Sequence, residues 1–258
     1  MTITGVPKLP WKCVWITGAS QGIGRALALE LAKQGINVAA SARSVERLKI
    51  LEQEASSLAG NIKSYPLDVL QKDAVAETVK NIERDLGEID VAVLNAGTYI
   101  PIEATEFSSE LVRGQLELNV MGVCHGIEAL LKTFLKRNKG HIAINASLAG
   151  YRGLPKASGY GASKAALINL SESLSVDLES QNIRVQVINP GFVKTPLTDQ
   201  NTFYMPFLIG SDKAAKIIIN GLQSRRFDIR FPAVFALIMA GLRCLPFRLY
   251  KFFVRRLE

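Results

Sequence analysis

Residues 14–24 read VWITGASQGIG. The first four are an apolar run of β-branched and aromatic side chains, which predicts a short buried strand. A glycine-rich turn follows, and a helical pattern then covers residues 25–34. Glycine permits a tight turn and lets backbone N–H groups approach a pyrophosphate at a helix N-terminus. Strand, turn and helix in this order predict a nucleotide-binding turn, although the same glycines also suit a purely structural turn.

The alternation of strand and helix continues beyond this unit. Further strands are predicted at residues 36–40, 62–67, 89–94, 141–145 and 185–188, and further helices at residues 47–58, 72–86, 108–136 and 158–180. Such alternation predicts right-handed βαβ units and one parallel sheet in an α/β fold. No repeat or linker interrupts the pattern, so we expect these strands and helices to form one domain.

Composition excludes several classes of protein. The chain has 258 residues, of which 48% are hydrophobic and 21% charged, and this is a globular composition. Its three cysteines (Cys13, Cys124 and Cys244) are scattered and it has two histidines, so neither a disulfide framework nor a metal site is predicted. Residues 1–10 contain no apolar run typical of a signal peptide. We therefore expect a cytoplasmic protein without a metal.

Polar and glycine residues collect after the predicted strands. They are Gly18 to Gly24, Arg43, Asp68, Asn95 to Gly97, Ser147 and Pro190-Gly191. In a parallel sheet of this kind, ligands bind outside the carboxyl ends of the strands, where the strand order reverses. The sequence therefore predicts that these residues line one nucleotide site.

Tyr160 and Lys164 are four residues apart on a predicted helix, and so share one face. A free phenol has a pKa near 10 and is a poor base at neutral pH, but a nearby ammonium favours the phenolate. The pair therefore suits acid–base chemistry. An ordinary solvated helix face is the competing interpretation, because so short a motif recurs by chance.

Together these segments resemble the short-chain dehydrogenase/reductase family. The matching residues are Thr17 to Gly24 with the spacing G-x-x-x-G-x-G, Asp68-Val69, Asn95 to Gly97, Asn119, Ser147, Tyr160 with Lys164, and Pro190-Gly191 followed by Thr195. They occur in the family's order over residues 14–196. The resemblance implies a three-layer Rossmann fold, with a doubly wound sheet of seven parallel strands whose last strand covers residues 227–231.

The resemblance also implies roles for these residues. Tyr160 would be the proton donor in reduction or the base in oxidation, and Lys164 would bind the nicotinamide ribose and lower the pKa of Tyr160. Ser147 would hold the substrate carbonyl, and Asn119 would support a proton-relay water, although either residue alone suits a cap or a turn. The implied cofactor-binding residues are Gly18, Ser20, Gln21, Gly22, Ile23, Gly24, Ser41, Arg43, Ser44, Asp68, Val69, Asn95, Ala96, Gly97, Tyr160, Lys164, Pro190, Gly191, Val193 and Thr195.

The end of the second strand bears on cofactor preference. An acidic residue there would bind the adenosine ribose and repel a 2′-phosphate. The sequence has Ser41-Ala42-Arg43-Ser44 instead, and a guanidinium suits a phosphate. These residues favour NADP(H). Gln21 occupies a position in the glycine turn where the family often has a second basic residue, and Arg43 alone also suits a solvated helix start.

The expected substrate side is apolar. In this family residues 192–212 form the substrate loop, and here residues 203–208 read FYMPFL. Tyr99, Ile100, Leu154 and Phe192 would line the same side. An apolar pocket suits a lipophilic ketone or aldehyde. The competing interpretation is that these side chains only pack the loop against the protein.

The C-terminal segment is apolar and basic. Residues 225–258 contain eight Lys and Arg against two acidic residues, so six of the eight net positive charges lie there. The uncharged run at residues 231–242 is too short to span a bilayer of roughly 30 Å. On a helical wheel, one side carries Arg243, Arg248, Lys251 and Arg255, and the other carries Leu242, Leu245, Leu249, Phe252 and Phe253. Pro246 would kink or divide the helix.

This pattern predicts a tail that lies in a membrane interface. We expect a Rossmann-fold catalytic domain at residues 1–231 and an amphipathic helical tail at 232–258, with peripheral contact to the cytoplasmic membrane face through residues 232–256. The alternative is that the apolar face packs on the domain or on a second subunit. A tail of this kind does not favour a nucleic-acid partner.

Three functions stay open at this point. The first is NADP(H)-dependent reduction of a lipophilic carbonyl, the second is oxidation of a hydroxy-lipid or alcohol with NAD, and the third is nucleotide binding without turnover. The residues do not identify the substrate, the physiological direction or the number of subunits, although the family resemblance makes a homo-oligomer an expectation.

Overall fold

Seven parallel strands form the central sheet. The structure is a computed structural model that describes residues 9–200 and 203–255. The strands of the sheet are β1 (Cys13–Thr17), β2 (Asn37–Ala42), β3 (Ile62–Pro66), β4 (Val91–Leu94), β5 (Gly140–Asn145), β6 (Ile183–Pro190) and β9 (Asp228–Phe231), and the two-residue strands β7 (Val193–Lys194) and β8 (Ile209–Gly210) pair separately. The predicted parallel α/β sheet is confirmed, and the predicted strands differ from these only at their ends.

Helices cover both faces of the sheet. They are α1 (Gly22–Lys33), α2 (Val45–Ala55), α3 (Lys72–Leu86), α4 (Ser109–Leu116), α5 (Gly122–Arg137), α6 (Ser158–Asp177), α7 (Ser211–Gln223), α8 (Ala233–Cys244) and α9 (Phe247–Val254). Alternate residues of β1 face opposite layers, as a pleated strand requires. Val14 and Ile16 pack with α1, α2 and α7, whereas Trp15 packs with the residues of α3, α5 and α6. The three-layer Rossmann fold is therefore confirmed.

The strand order places the site. The order is β3-β2-β1-β4-β5-β6-β9, so the direction of winding reverses between β1 and β4. These two strands pair directly, with Ile16 opposite Val93. The loops that follow β1 and β4 therefore leave the same edge of the sheet and open a crevice between them.

The long helix predicted at residues 108–136 contains a wider turn. It is interrupted by a π-helical turn at Glu117–Met121 between α4 and α5. Hydrophobic periodicity does not reveal such a turn, because it covers only five residues and helix continues on both sides of it. The helix predicted at residues 158–180 ends earlier, at Asp177, and a 3₁₀ turn follows at Glu179–Gln181.

The tail forms two helices that pack on the domain. Pro246 separates α8 from α9, as predicted. Ala236 and Met239 of α8 belong to the core beneath β5 and β6. Arg152 donates to the carbonyl of Arg243 at 2.9 Å, and its guanidinium lies 4.6 Å from the centre of the Tyr250 ring. Within residues 9–200 and 203–255, no helix is long and apolar enough to cross a membrane.

Candidate active site

The glycine-rich turn after β1 makes room for a ligand at the start of α1. Gly18 and Gly22 have φ angles of 67° and 58°, in the left-handed region that favours glycine. A Cβ on Gly18 would lie 2.8 Å from Cα of Ala96. The first turn of α1 has no acidic residue, and the side chain of Gln21 makes no capping hydrogen bond within the described part of the chain. An anion such as a pyrophosphate fits this helix N-terminus.

Asn95 fastens the ends of β1 and β4 beside the turn. Its backbone N–H donates to Thr17 Oγ1 at 2.9 Å, and its Nδ2 donates to the Thr17 carbonyl at 3.0 Å. Asn145, at the end of β5, donates through Nδ2 to Asn95 Oδ1 at 2.8 Å. Three neighbouring strand ends are thereby held in one edge. Asn145 was missed in the sequence because its only signal is its position at the end of a strand.

Ser147, Tyr160 and Lys164 come together in one wall of the cleft. Ser147 follows β5, and its hydroxyl donates to the Pro190 carbonyl at 3.3 Å. The phenol of Tyr160, on α6, lies close enough to this hydroxyl for Ser147 to lower its pKa. Lys164 lies one turn further along α6 and is 4% exposed, and its Nζ donates to the Asn145 carbonyl at 2.8 Å. The Nζ atom is 5.6 Å from the centre of the Tyr160 ring. A hydroxyl, a phenol and an ammonium therefore share one corner of the cleft, in which Ser147 and Lys164 are buried and Tyr160 is half-buried.

Burial controls the protonation of this corner. It raises the pKa of Tyr160 to about 12, against a hydrogen bond from Ser147 that lowers it, and Tyr99 raises it further. Burial also lowers the pKa of Lys164 to about 8. The expected lowering of the Tyr160 pKa by Lys164 is therefore not what this structure gives, because loss of water around the phenol destabilises the phenolate. The phenol keeps its proton at neutral pH.

Asn119 lies beside the corner and does not line the cleft. Its Oδ1 accepts from the N–H of Thr98 at 2.7 Å, and its Nδ2 donates to the Thr98 carbonyl at 3.0 Å and to Ser163 Oγ at 2.9 Å. Ser163 Oγ in turn donates to the carbonyl of Tyr160 at 2.7 Å. The side chain of Asn119 thus braces the turn of α6 that carries the phenol.

The first turn of α2 forms a basic end of the cleft. Arg43 and Ser44 line it, and Ser44 Oγ caps α2 by accepting from the N–H of Arg47 at 3.3 Å. The guanidinium of Arg47 also lines the cleft and donates to Oε1 of Gln21. Arg47 was missed in the sequence, where its only signal is its place one turn after Arg43. The side chain of Ser41 points away, since its Oγ accepts from Trp15 Nε1 at 3.0 Å.

The cleft of about 340 Å³ brings most of the predicted residues together. Those that line it are Gly18, Ser20, Gln21, Gly22, Ile23, Arg43, Ser44, Asp68, Val69, Asn95, Ala96, Gly97, Ser147, Tyr160, Lys164, Pro190, Gly191, Val193 and Thr195. Gly24, Ser41 and Asn119 do not; a Cβ on Gly24 would lie 2.4 Å from the Gly18 carbonyl oxygen, so this glycine packs α1 on the turn. Among the described residues, no group of three His, Cys, Asp or Glu could hold a metal.

Aromatic side chains stand around the catalytic wall. The ring of Tyr99 meets the ring of Tyr160 edge-on, with 5.1 Å between centres. Phe192 stacks on Phe235 of α8 at 5.3 Å. None of the four residues predicted for the substrate side, Tyr99, Ile100, Leu154 and Phe192, lines the cleft, and the backbone N–H of Ile100 donates to Gln115 at 3.0 Å. An apolar surface therefore adjoins the polar corner.

Known proteins resemble the chain in sequence and in fold. Residues 12–203 match the family described as short chain dehydrogenase. An uncharacterised oxidoreductase of Myxococcus xanthus is 36% identical over 251 residues, which cover 97% of this chain and 99% of that protein. A 3-oxoacyl-(acyl-carrier-protein) reductase of Thermotoga maritima is 34% identical over 193 residues, 75% of this chain and 78% of that protein.

A solved structure extends the likeness. An alcohol dehydrogenase from the archaeon Thermococcus sibiricus, complexed with 5-hydroxy-NADP, has a TM-score of 0.78 at 27% identity and covers 87% of this chain and 97% of that chain. The family match takes in the glycine turn, the corner formed by Ser147, Tyr160 and Lys164, and residues 192–203. The chain therefore belongs to the short-chain dehydrogenase/reductase family, whose members are oxidoreductases that use a nicotinamide cofactor.

Proposed function

We propose that the protein is an NADP(H)-dependent reductase that converts a lipophilic ketone or aldehyde into an alcohol. The observation that carries this proposal is the meeting of Ser147, Tyr160 and Lys164 in one corner of the cleft. A buried ammonium costs free energy unless strong partners compensate it. Lys164 has a single carbonyl as its hydrogen-bond partner among the described residues. A protein that only bound nucleotide would have no use for such a residue, which favours turnover.

In the proposed reaction, the reduced nicotinamide supplies the hydride when it is bound. The hydroxyl of Ser147 donates a hydrogen bond to the carbonyl oxygen of the substrate. Tyr160 gives its proton to the same oxygen as negative charge develops there. Because burial keeps the phenol protonated at neutral pH, Tyr160 starts in the state that reduction needs. The charge of Lys164 then stabilises the phenolate that is left.

The same pKa direction separates the two directions of reaction. Oxidation of an alcohol would need Tyr160 to start as a base, and burial disfavours the phenolate. This supports reduction over the alternative of an NAD-dependent hydroxy-lipid dehydrogenase. Asn119 acts in this proposal by positioning Tyr160 through Ser163.

We assign the cofactor to the cleft by the chemistry of its lining. The pyrophosphate would lie on the turn from Gly18 to Gly24, and the adenine would lie beside Asp68 and Val69. The nicotinamide half would lie between two sets of residues, Asn95, Ala96 and Gly97 on one side and Pro190, Gly191, Val193 and Thr195 on the other.

Two arginines support NADP(H) over NAD(H). Arg43 and Arg47 both line the basic end of the cleft, beside the hydroxyl of Ser44. The turn from β2 to α2 carries no acidic residue before Glu46. Two guanidiniums suit the 2′-phosphate of NADP. The glycine turn has Gln21 where the family often has a basic residue. Arg47 of α2 donates to the Gln21 side chain, so its guanidinium provides a positive charge beside that position.

A substrate panel tests the proposal. The purified protein would be assayed for NADPH and NADH consumption with ketones and aldehydes of increasing apolar chain length. We expect kcat/KM to be higher with NADPH because of the two arginines. We expect it to rise with chain length because Phe235, which stacks on Phe192, packs against Gly191 in the cleft wall. A preference for NADH, or for short polar carbonyls, would refute the corresponding part.

We also propose a peripheral membrane contact on the cytoplasmic face and a homo-oligomeric state. Residues 233–255 contain four cations and no acidic residue, which supports attraction to anionic lipid. Members of the family are often oligomeric. Sedimentation with anionic vesicles tests the contact, and light scattering on purified protein tests the state. Full-length protein that never sediments with such vesicles would leave the tail as a packing element on the domain.

A further inference from the structure

We propose that the tail and the substrate loop form one lipid-facing surface, through which the enzyme takes its carbonyl substrate directly from an anionic bilayer. This inference rests on the proposed reductase function and adds to it a source for the substrate. The first step is how closely α8 lies to the cleft. A Cβ on Gly191, which lines the cleft, would meet Phe235 of α8 at 2.6 Å.

An aromatic cluster continues from this contact outward. It consists of Phe192, Phe203, Phe207 and Phe235. Phe192 stacks on Phe235 at 5.3 Å and meets Phe203 edge-on at 5.9 Å, and Phe207 lies 6.3 Å from Phe235. Phe203 and Phe207 are about half exposed. The cluster therefore extends from Gly191 in the wall of the cleft to exposed rings at the protein surface.

The outer face of α8 is apolar and open. Val234, Leu237 and Ile238 follow the i, i+3, i+4 spacing of one helix face, and all three are exposed, Leu237 by 73%. The opposite face buries Ala236 and Met239. Tyr204 and Leu208, on the substrate loop beside the cluster, are exposed as well. Exposed apolar patches of this continuity mark interaction sites rather than ordinary surface.

The positive charges of the tail indicate what binds to this apolar face. The cations Arg243, Arg248, Lys251 and Arg255 of α8 and α9 are exposed. Arg243 lies on the side of α8 that carries Ala236 and Met239, 5.8 Å from the centre of the Tyr151 ring, so the basic border consists of Arg248, Lys251 and Arg255 on α9. No carboxylate of the described residues lies within ion-pair distance of them. Residues 203–210 carry no charge. An apolar face with a basic border fits an anionic lipid surface, whereas a second copy of this chain would bring a second set of the same cations.

The tail is anchored firmly enough to orient the cleft. Arg152 bonds the carbonyls of Arg243 and Leu245, at 2.9 and 3.2 Å, and stacks on Tyr250. These bonds join the tail to the segment that follows Ser147. A bilayer bound to α8 and α9 would therefore lie against the apolar side of the cleft. A carbonyl on a long alkyl chain would reach Ser147 and Tyr160 while its chain stayed among aromatic side chains and lipid.

The test compares two exposed apolar residues. Leu237→Asp places a charge on the outer face of α8, and Val176→Asp is the matched control, because Val176 on α6 is also 73% exposed. Binding to vesicles with anionic lipid would be measured by flotation. NADPH consumption would be measured with a long-chain ketone dissolved in those vesicles and with a short water-soluble ketone.

We expect Leu237→Asp to lower vesicle binding and turnover of the vesicle-borne ketone at least tenfold, with turnover of the short ketone unchanged. Val176→Asp should change none of these. Wild-type protein that turns over the short ketone but never binds vesicles would overturn the inference and leave the reductase proposal standing. A change of oligomeric state in Leu237→Asp without vesicle binding by the wild type would assign the face to a second copy instead. No turnover of either ketone would count against the reductase function itself.

Discussion

The candidate catalytic corner is built from polar and charged side chains, whereas the outer face of α8 is built from apolar ones. In the corner, the hydroxyl of Ser147 and the ammonium of Lys164 are buried, and each donates to a backbone carbonyl, while the phenol of Tyr160 is half-buried beside them. On the outer face, Val234, Leu237 and Ile238 are apolar and exposed. A buried polar group is tolerated only where its partners are fixed, so the corner requires defined chemistry. The exposed apolar face has no partner among the described residues, and such a face marks an interaction site.

The largest effect is expected from a substitution that makes the corner apolar, like the outer face of α8. In Lys164→Met the buried charge is replaced by an apolar chain of similar length. We expect kcat for carbonyl reduction to fall about 10²–10⁴-fold, the range for loss of a positioned acid–base group. The thermal midpoint should change little, because relief of the buried charge offsets the unpaired Asn145 carbonyl, worth about 1–3 kcal/mol. Wild-type kcat in this variant would contradict the role of Lys164.

The basic end of the cleft tests whether exposed cations there bind a phosphate. Arg43→Asp should lower kcat/KM for NADPH about 10- to 100-fold and shift preference towards NADH, since a charge-assisted hydrogen bond contributes about 1.5–3 kcal/mol. Arg47→Ala should have a smaller effect in the same direction. Arg84→Ala, on α3 outside the cleft, is the control. An unchanged NADPH/NADH ratio in Arg43→Asp would refute the assignment.

The pH profile sharpens the account of the corner. Burial lowers the pKa of Lys164 to about 8, so the ammonium is lost as pH rises through that value. Carbonyl reduction should therefore be level below pH 7 and fall towards tenfold per pH unit above about pH 8. In Lys164→Arg, whose guanidinium stays charged, any remaining activity should lose this fall. A wild-type rate that rises between pH 8 and pH 10 would contradict the proposed direction of proton transfer.

His141 does not line the cleft, but burial lowers its pKa as it lowers that of Lys164. Burial lowers its pKa to about 3, with Gln186 as its hydrogen-bond partner at 2.8 Å. Below its ordinary pKa of about 6.5 the unfolded state binds the proton and the folded state does not, so stability falls between pH 6.5 and pH 3. We expect a loss of about 1.4 kcal/mol between pH 7.5 and pH 5.5. Urea unfolding of wild type and His141→Met at both pH values measures it, and an equal loss in the variant would exclude His141 as the source.

The fold can be predicted from the sequence because recognisable glycine, polar or proline residues follow the predicted strands. The glycines from Gly18 to Gly24, the pair Tyr160 and Lys164, and the break at Pro190-Gly191 predict the parallel sheet and the edge at which the cleft lies. They act locally, so their spacing is enough. The division of the tail at Pro246 is predictable for the same reason, because proline has no N–H for the helix ladder.

Features that depend on three-dimensional packing were not visible. The hydrogen bond from Arg47 to Gln21 forms only because α2 packs beside the start of α1. The hydrogen bond between Ser41 and Trp15 depends on which side of β2 the Ser41 side chain occupies. The π turn that brings Asn119 to Thr98 leaves no periodic signal. The raised pKa of Tyr160 is a consequence of burial, which residue spacing does not report.

One measurement tests the central claim most directly. It compares wild type with Tyr160→Phe, which removes the phenol hydroxyl and keeps the ring that packs against Tyr99. Fluorescence titration would give the Kd for NADPH, and the oxidation of NADPH with a lipophilic ketone would give kcat. The account predicts an unchanged Kd and a kcat lower by about 10²–10⁴-fold in the variant. Equal turnover in the two proteins, or a wild type that does not bind NADPH, would contradict it.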